Sequence, residues 1–135
     1  MSFFEWNAKY KLGVDEMDGE HKILIAKMNR TYELITAKAP LAQCLEALDD
    51  FMNYTAEHFR DEEKYMGAMS YPQLSMHRSL HQALVASLQG FRRDMAGGQL
   101  AGEKLFDFLA RWLTGHILGV DMRYAKYVQE HAAAK

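Results

Sequence analysis

The chain has 135 residues, of which 16 are basic and 18 acidic, and its net charge is −2. This length suits one domain with one core, residues 1–135, and the interleaved charges give no electrostatic case for binding nucleic acid or an anionic membrane. The single cysteine, Cys44, excludes an intrachain disulfide, and no signal peptide or membrane-length apolar run is recognisable, so a cytoplasmic protein is expected.

Residues 1–17 mix aromatic side chains with turn residues and have neither helical nor strand periodicity, so they are predicted to form an extended arm. Asp18 is predicted to cap a first helix, about 19–38, because its carboxylate can accept from the free amides of the first turn. Three further helices are expected at about 41–66, 72–96 and 101–130. Pro72 would lie in the first turn of the third helix, where its missing amide does no harm.

Each predicted helix carries a line of inward positions three or four residues apart, which is typical of helices packed nearly parallel to one another. The pattern predicts an all-α fold, namely an up-down-up-down four-helix bundle with an extended N-terminal arm. Five of the six histidines lie on or beside these lines: His21, His58, His77, His81 and His116. His131 lies in the polar tail and is interpreted as a surface residue.

Several imidazoles inside an apolar core need either hydrogen-bond partners or a cation, so the sequence indicates a metal site. His58 and Glu62 are four residues apart, as are His77 and His81, which places each pair on one helix face. Glu62 lies about 40° around the helix axis from His58, whereas Glu63 lies about 140° from it. Glu62 is therefore predicted to face inward and Glu63 to be solvated.

The choice of metal stays open on ligand type alone. A structural zinc site closes with four ligands, fewer than this set offers, so two metal ions are favoured. A zinc-protease helix at His77 and His81 is disfavoured because Arg78 stands where such an enzyme needs a glutamate. The Glu-x-x-His pairs of ferritin-like di-iron bundles are absent, and iron, copper and zinc all accept imidazole-rich ligation.

The segments DGEHKIL, HFRDEEKYM, HRSLH and HILGVD together resemble the hemerythrin family in its bacterial branch, over nearly the whole chain and in order. The resemblance implies two iron ions joined by a bridging oxo or hydroxo group. It implies seven metal ligands: His77, His81 and His116 on one iron, His21 and His58 on the other, and Glu62 and Asp121 bridging both. Glu20 departs from the family, whose members commonly have glutamine there, and little consequence for the metal is expected.

If both irons are six-coordinate, these ligands and the bridging oxygen fill every position except one on the two-histidine iron, which suits dioxygen. Helix positions then predict an oxygen pocket that excludes water, walled by Leu24, Phe59, Trp112, Leu113 and Ile117. His116 and Asp121 are five residues apart, about 140° in a regular helix. Gly115 and Gly119 are therefore expected to permit a widened, π-like turn that brings both inward.

The resemblance implies reversible dioxygen binding for oxygen storage, transport or delivery in a bacterial cytoplasm, by a protein that is not an enzyme. A protein acceptor of the oxygen is not identified. One alternative is an oxygen or redox sensor domain excised from a larger receptor. A di-iron peroxidase or a nitric oxide scavenging enzyme ranks last, because the predicted pocket holds no acid or base to assist O–O cleavage.

Overall fold

The computed structural model describes residues 4–98 and 102–133, and within these ranges it contains helices and no strands. A short 3-10 turn, Ala8–Tyr10, precedes helices α1 (Asp15–Thr36), α2 (Leu41–Ala68) and α3 (Leu74–Ala96). The fourth helix has three consecutive parts: α4 (Gly102–Gly115), a π-helical segment (His116–Asp121) and α5 (Met122–Ala133). The predicted all-α four-helix bundle is confirmed.

Helix α2 packs between α1 and α3, and α4 closes the bundle against α1. The inward lines of apolar residues form one core, which includes Met28, Leu48, Leu84, Leu88, Leu105 and Leu109. Burying one such side chain contributes about 1.5–3 kcal/mol, so this core is the main source of stability. No helix in the described ranges is both long and apolar enough to cross a membrane.

The prediction that Asp18 caps the first helix is wrong, because α1 already begins at Asp15. Asp18 is buried and accepts hydrogen bonds from the amides of Leu12, at 2.8 Å, and Gly13, at 3.2 Å. These amides belong to the arm, where no helical carbonyl is available to them. Asp18 therefore fixes the arm to α1 instead of capping the start of that helix.

The described part of the arm, residues 4–14, lies along the bundle, and the predicted end of the arm at residue 17 is wrong because residues 15–17 belong to α1. The Asn29 side chain accepts from the backbone amide of Phe4 at 2.9 Å and donates to its carbonyl at 2.8 Å. Trp6 is partly buried against the core, with the Lys22 ammonium 4.5 Å from its ring centroid. Residues 1–3 of the predicted arm lie outside the described residues.

The second residue after the end of α1 and of α2 has a left-handed backbone: these residues are Lys38 and Ser70, each with φ 55°. In both cases the next amide closes the helix by donating to the carbonyl five residues earlier, at 3.0 Å. Pro72 lies in the turn ahead of α3, two residues before that helix begins, so its predicted place in the first turn is wrong. The predicted start of the fourth helix at residue 101 lies outside the described residues.

Candidate metal centre

All seven predicted metal ligands are buried and meet in the middle of the bundle. Helix α1 supplies one of them, α2 and α3 supply two each, and the π-helical segment supplies two: His21, His58, Glu62, His77, His81, His116 and Asp121. None is more than 5% exposed, so any charge among them is shielded from solvent. The four helices thus bring their inward polar residues to one level.

The five imidazoles form two groups. In the first group, Nε2 of His116 lies 3.0 Å from Nε2 of His77 and 3.2 Å from Nε2 of His81. The second group comprises His21 and His58, whose ring centroids are 4.6 Å apart. We call these the three-histidine group and the two-histidine group.

The Glu62 carboxylate lies between the two groups, with one oxygen toward each. Its Oε1 is 3.0 Å from Nε2 of His81 and 3.5 Å from Nε2 of His77, in the three-histidine group. Its Oε2 is 3.6 Å from Nε2 of both His21 and His58, in the two-histidine group. A carboxylate that bridges two cations needs this division of its oxygens.

Asp121 is divided in the same way. Its Oδ1 lies 2.9 Å from Nε2 of His77 and 3.0 Å from Nε2 of His116, whereas its Oδ2 lies 3.3 Å from Nε2 of His21. The two carboxylates therefore connect the same two imidazole groups. The donor atoms thus form two sets, each of which combines one imidazole group with oxygens of both carboxylates.

The widened turn predicted between His116 and Asp121 is confirmed, because residues 116–121 form a π-helical segment. The predicted reason for it is wrong. A Cβ added at Gly115 or Gly119 would meet no atom within 4 Å, and Gly115 has ordinary helical angles, φ −65° and ψ −39°. Alanine would fit at both positions, so the turn does not depend on glycine.

Two carboxylates outside the predicted set contact the outer nitrogens of the imidazoles. Oε1 of Glu20 lies 2.7 Å from Nδ1 of His58, and Oε2 of Glu63 lies 2.9 Å from Nδ1 of His81. The prediction that Glu63 is solvated is wrong: its side chain is 20% exposed and also accepts from Arg78 Nε at 3.0 Å. Its direction away from His58 points it at α3, where His81 presents its outer nitrogen.

Sequence reasoning also missed Tyr124, whose hydroxyl donates to Oε2 of Glu62 at 2.8 Å. Tyr124 is fully buried, and burial together with the charges of Glu62 and Asp121 raises its pKa, so it remains a protonated donor. One signal was present in the sequence, since Tyr124 follows Asp121 by three residues on the inner line of the fourth helix. An acid next to a ligand in sequence was the corresponding signal for Glu20 and Glu63.

Both central carboxylates are ionised. Burial raises the pKa of Glu62, but the charge of His58 and the nearby imidazoles of His21, His77 and His81 hold that pKa well below its ordinary value. For Asp121, burial and the charge of Glu62 raise the pKa, but the neighbouring imidazoles lower it by more, so the pKa lies below its ordinary value. The centre thus carries two negative charges away from solvent.

In the metal-free protein the imidazoles balance these charges. Burial lowers the pKa of His21, but the contacts with Asp121 and Glu62 raise it to about 10. The same two carboxylates raise the pKa of His77 to about 9 against the effect of burial. Protonated imidazoles therefore occupy the role that a bound cation would take.

The donor set fits a pair of metal ions. Oε1 of Glu62 and both oxygens of Asp121 are buried without a well-aligned hydrogen bond, despite imidazole nitrogens nearby. Buried acceptors in this condition are unfavourable, and a cation would satisfy them. Imidazole nitrogens suit iron as well as zinc, copper and nickel, so iron is one of the metals that this donor set can hold.

The predicted oxygen pocket comprises Leu24, Phe59, Trp112, Leu113 and Ile117, of which all but Trp112 are buried. Trp112 stacks on His116, with ring centroids 4.2 Å apart and planes at 11°. Phe59 stacks on His81, at 3.7 Å and 2°, and is 5.9 Å from His58. Both rings thus lie flat against the three-histidine group, and a role in lining an oxygen pocket stays a prediction.

Known proteins with a similar sequence or fold identify the family of this chain. The family model of the hemerythrin HHE cation binding domain matches residues 12–128. The chain belongs to the hemerythrin family. The matched range contains all seven predicted ligands and helices α1 to α4, and it ends within α5.

Bacteriohemerythrins and a myohemerythrin are among the similar sequences. Bacteriohemerythrin of Stenotrophomonas maltophilia is 29% identical over 131 residues, covering 97% of this chain and 85% of that protein. Bacteriohemerythrin of Clostridium acetobutylicum is 27% identical, covering 90% and 98%. Myohemerythrin of Theromyzon tessulatum is 26% identical, covering 90% of each chain.

The fold agrees with a solved hemerythrin structure. The crystal structure of a hemerythrin mutant superimposes with a TM-score of 0.85, over 93% of this chain and 97% of that one, at 23% sequence identity. This likeness shows that the chain has the four-helix fold of that hemerythrin. Myohemerythrin is a known example of the up-down-up-down four-helix bundle.

Proposed function

We propose that this protein binds dioxygen reversibly at a centre of two iron ions joined by an oxo or hydroxo bridge. The observation that carries the proposal is the division of the Glu62 and Asp121 oxygens between the two imidazole groups. Membership of the hemerythrin family supports oxygen binding rather than catalysis. Similarity to bacteriohemerythrins supports oxygen storage, transport or delivery in a bacterial cytoplasm as its role.

In this proposal the three-histidine group holds one iron and the two-histidine group holds the other. Glu62 and Asp121 would each give one oxygen to each metal. The iron at the two-histidine group would have fewer protein ligands than the other, and would therefore be the one that binds dioxygen. When bound, the iron pair supplies the electrons with which dioxygen is reversibly held.

The outer carboxylates set which nitrogen of each imidazole faces the metals. A carboxylate only accepts, so Glu20 and Glu63 keep a proton on Nδ1 of His58 and His81. The Nε2 lone pairs of both rings are thereby directed inward. Each imidazole group thus has one member oriented by an acid on a different helix.

Tyr124 and the apolar side chains around the centre have different tasks. The Tyr124 hydroxyl fixes the plane of the Glu62 carboxylate through its 2.8 Å hydrogen bond. Leu24, Leu113 and Ile117, all at most 4% exposed, exclude bulk water from the middle of the bundle. Exclusion of water slows irreversible oxidation of the irons, and reversible binding requires that this oxidation be slow.

The test uses the iron-loaded protein, reduced without oxygen and followed by visible absorption. Oxygen followed by argon should make an absorption band appear and disappear over repeated cycles. Glu62→Ala should abolish the cycling, whereas Glu57→Ala, on the exposed face of the same helix, should preserve it. A single irreversible change in the unaltered protein, or steady consumption of added reductant under dioxygen with catalase present to remove hydrogen peroxide, would contradict the proposal.

A further inference from the structure

A chain of aromatic side chains connects the metal centre to the surface at one end of the bundle. Four of the seven tyrosines of the protein take part: Tyr65, Tyr71, Tyr124 and Tyr127. The ring of Tyr124 is 6.4 Å from that of Tyr71, which is 5.3 Å from that of Tyr127. We call Tyr124, Tyr71 and Tyr127 the tyrosine ladder.

The ladder begins at two predicted metal ligands. The Tyr124 ring is 5.7 Å from that of His77, and its hydroxyl donates to Glu62 at 2.8 Å. It is therefore connected to the centre both by ring contact and by a hydrogen bond. Tyr65, which is partly exposed, contacts Tyr124 at 6.0 Å and forms a side branch.

The ladder ends at solvent. Tyr124 and Tyr71 are buried, Tyr127 is partly exposed, and His131, stacked on Tyr127 at 3.8 Å, is exposed. The Tyr127 hydroxyl donates to the carbonyl of Ser70 at 3.2 Å in an exposed setting. Water can accept its proton there.

Ring packing alone does not account for tyrosine at these positions, because phenylalanine gives the same edge-to-face contacts without a hydroxyl to satisfy. A phenol is more readily oxidised than a phenyl ring. Neighbouring ladder rings have centroids 5.3 and 6.4 Å apart, the range of direct aromatic contact, so an electron can pass from ring to ring.

We propose that the tyrosine ladder is a protective route along which electrons travel from the surface to the metal centre when hydrogen peroxide reacts there. The inference rests on the proposed function, because an oxygen-binding iron centre meets peroxide whenever dioxygen leaves it in reduced form. Each hydrogen peroxide takes up two electrons through the ladder and two protons from solvent and becomes two molecules of water. Oxidising power that would otherwise attack the ligands is thus discharged at the surface.

The electrons come singly from the phenol of Tyr127. On each occasion Tyr127 loses one electron inward through Tyr71 and Tyr124, and releases its hydroxyl proton to solvent. An external one-electron donor such as ascorbate returns one electron to the Tyr127 radical, which also regains a proton. Two such events balance one hydrogen peroxide.

Trp112 is the competing exit, because it stacks on His116 and is itself partly exposed. The ladder differs from it in having a hydrogen bond to a carboxylate that faces both imidazole groups. Oxidation products concentrated on Trp112 would therefore refute the ladder as the route.

The test treats the iron-loaded full chain, oxidised beforehand so that both irons are ferric, with one equivalent of hydrogen peroxide in the absence of external donor. Freeze-quenched electron paramagnetic resonance should show a tyrosyl radical, and peptide mass mapping should locate the oxidised residues. We expect marks on Tyr127, His131 and Tyr65, with the predicted ligands spared. Metal-free protein treated in the same way should lack both the radical and the marks.

Tyr71→Phe interrupts the ladder and should remove the marks from Tyr127 and His131 while those on Tyr65 and Tyr124 increase. Tyr54→Phe, a partly exposed tyrosine outside the ladder, should leave the unaltered pattern. Unchanged marking of Tyr127 in Tyr71→Phe would overturn the proposal, provided that the variant keeps its iron and helical circular dichroism. Oxygen cycling is measured separately, so its failure would refute the proposed function without affecting this result.

Discussion

Replacing Tyr124 by phenylalanine removes one hydroxyl from the centre of the bundle and leaves its ring in place. The lost bond is made to an ionised acceptor, Glu62, and such bonds contribute about 1.5–3 kcal/mol. Tyr124 and Glu62 are both 0% exposed, so water does not replace the missing donor. We expect the free energy of unfolding of the metal-free protein to fall by about 2 kcal/mol, which lowers Tm by roughly 6–10 °C in a domain of this size.

The assay is urea unfolding of the metal-free protein, in chelator, followed by circular dichroism. Tyr71→Phe is the matched control, since it deletes the same group from the adjacent ring but breaks no bond to Glu62, and it should change stability by less than about 0.5 kcal/mol. The dependence of free energy on urea should be equal in all three proteins. Equal effects of the two substitutions would refute the reasoning that Tyr124 stabilises the Glu62 carboxylate.

In metal-free protein, the pKa of His21 is raised to about 10 and that of His77 to about 9. The stability that these shifts contribute is complete below pH 6.5 and is lost as the pH rises through 9 to 10. Tm should therefore fall from pH 7 to 9.5, and a rise would contradict this. Asp18→Ala should destabilise by about 1–2 kcal/mol and speed hydrogen exchange of the arm amides it binds, so unchanged exchange would count against that role. Leu113→Ala should accelerate autoxidation, which an unchanged decay of the oxygenated spectrum would disprove. Gly119→Ala should keep full iron content, and loss of iron would restore the glycine requirement.

The helices and the convergence of the ligands were predictable because the information is local. His77 and His81 occupy positions in a regular three-four spacing that elsewhere holds leucine, so the pattern that buries the leucines also buries the imidazoles. Glu62 could be distinguished from Glu63 by its angle to His58 alone. The place of Asp121 depended on the family resemblance, because five residues in a regular helix would have turned it away from His116.

The contacts that were missed all depend on which neighbour a side chain meets. The helix axis gives the direction of Glu63, but not the fact that α3 brings the outer nitrogen of His81 to that side. Glu20 meets His58 from a different helix in the same way. Asp18 is of a residue type that commonly caps helices, yet its carboxylate accepts hydrogen bonds from the arm amides instead.

Two imidazole groups and two shared carboxylates should together hold a pair of iron ions. Anaerobic titration of the metal-free protein with ferrous iron, with bound metal measured per chain, tests this most directly. We predict saturation at two irons per chain, and at fewer than two in Glu62→Ala. Saturation of the unaltered protein at one iron, or a preference for a single zinc ion over iron, would contradict the claim.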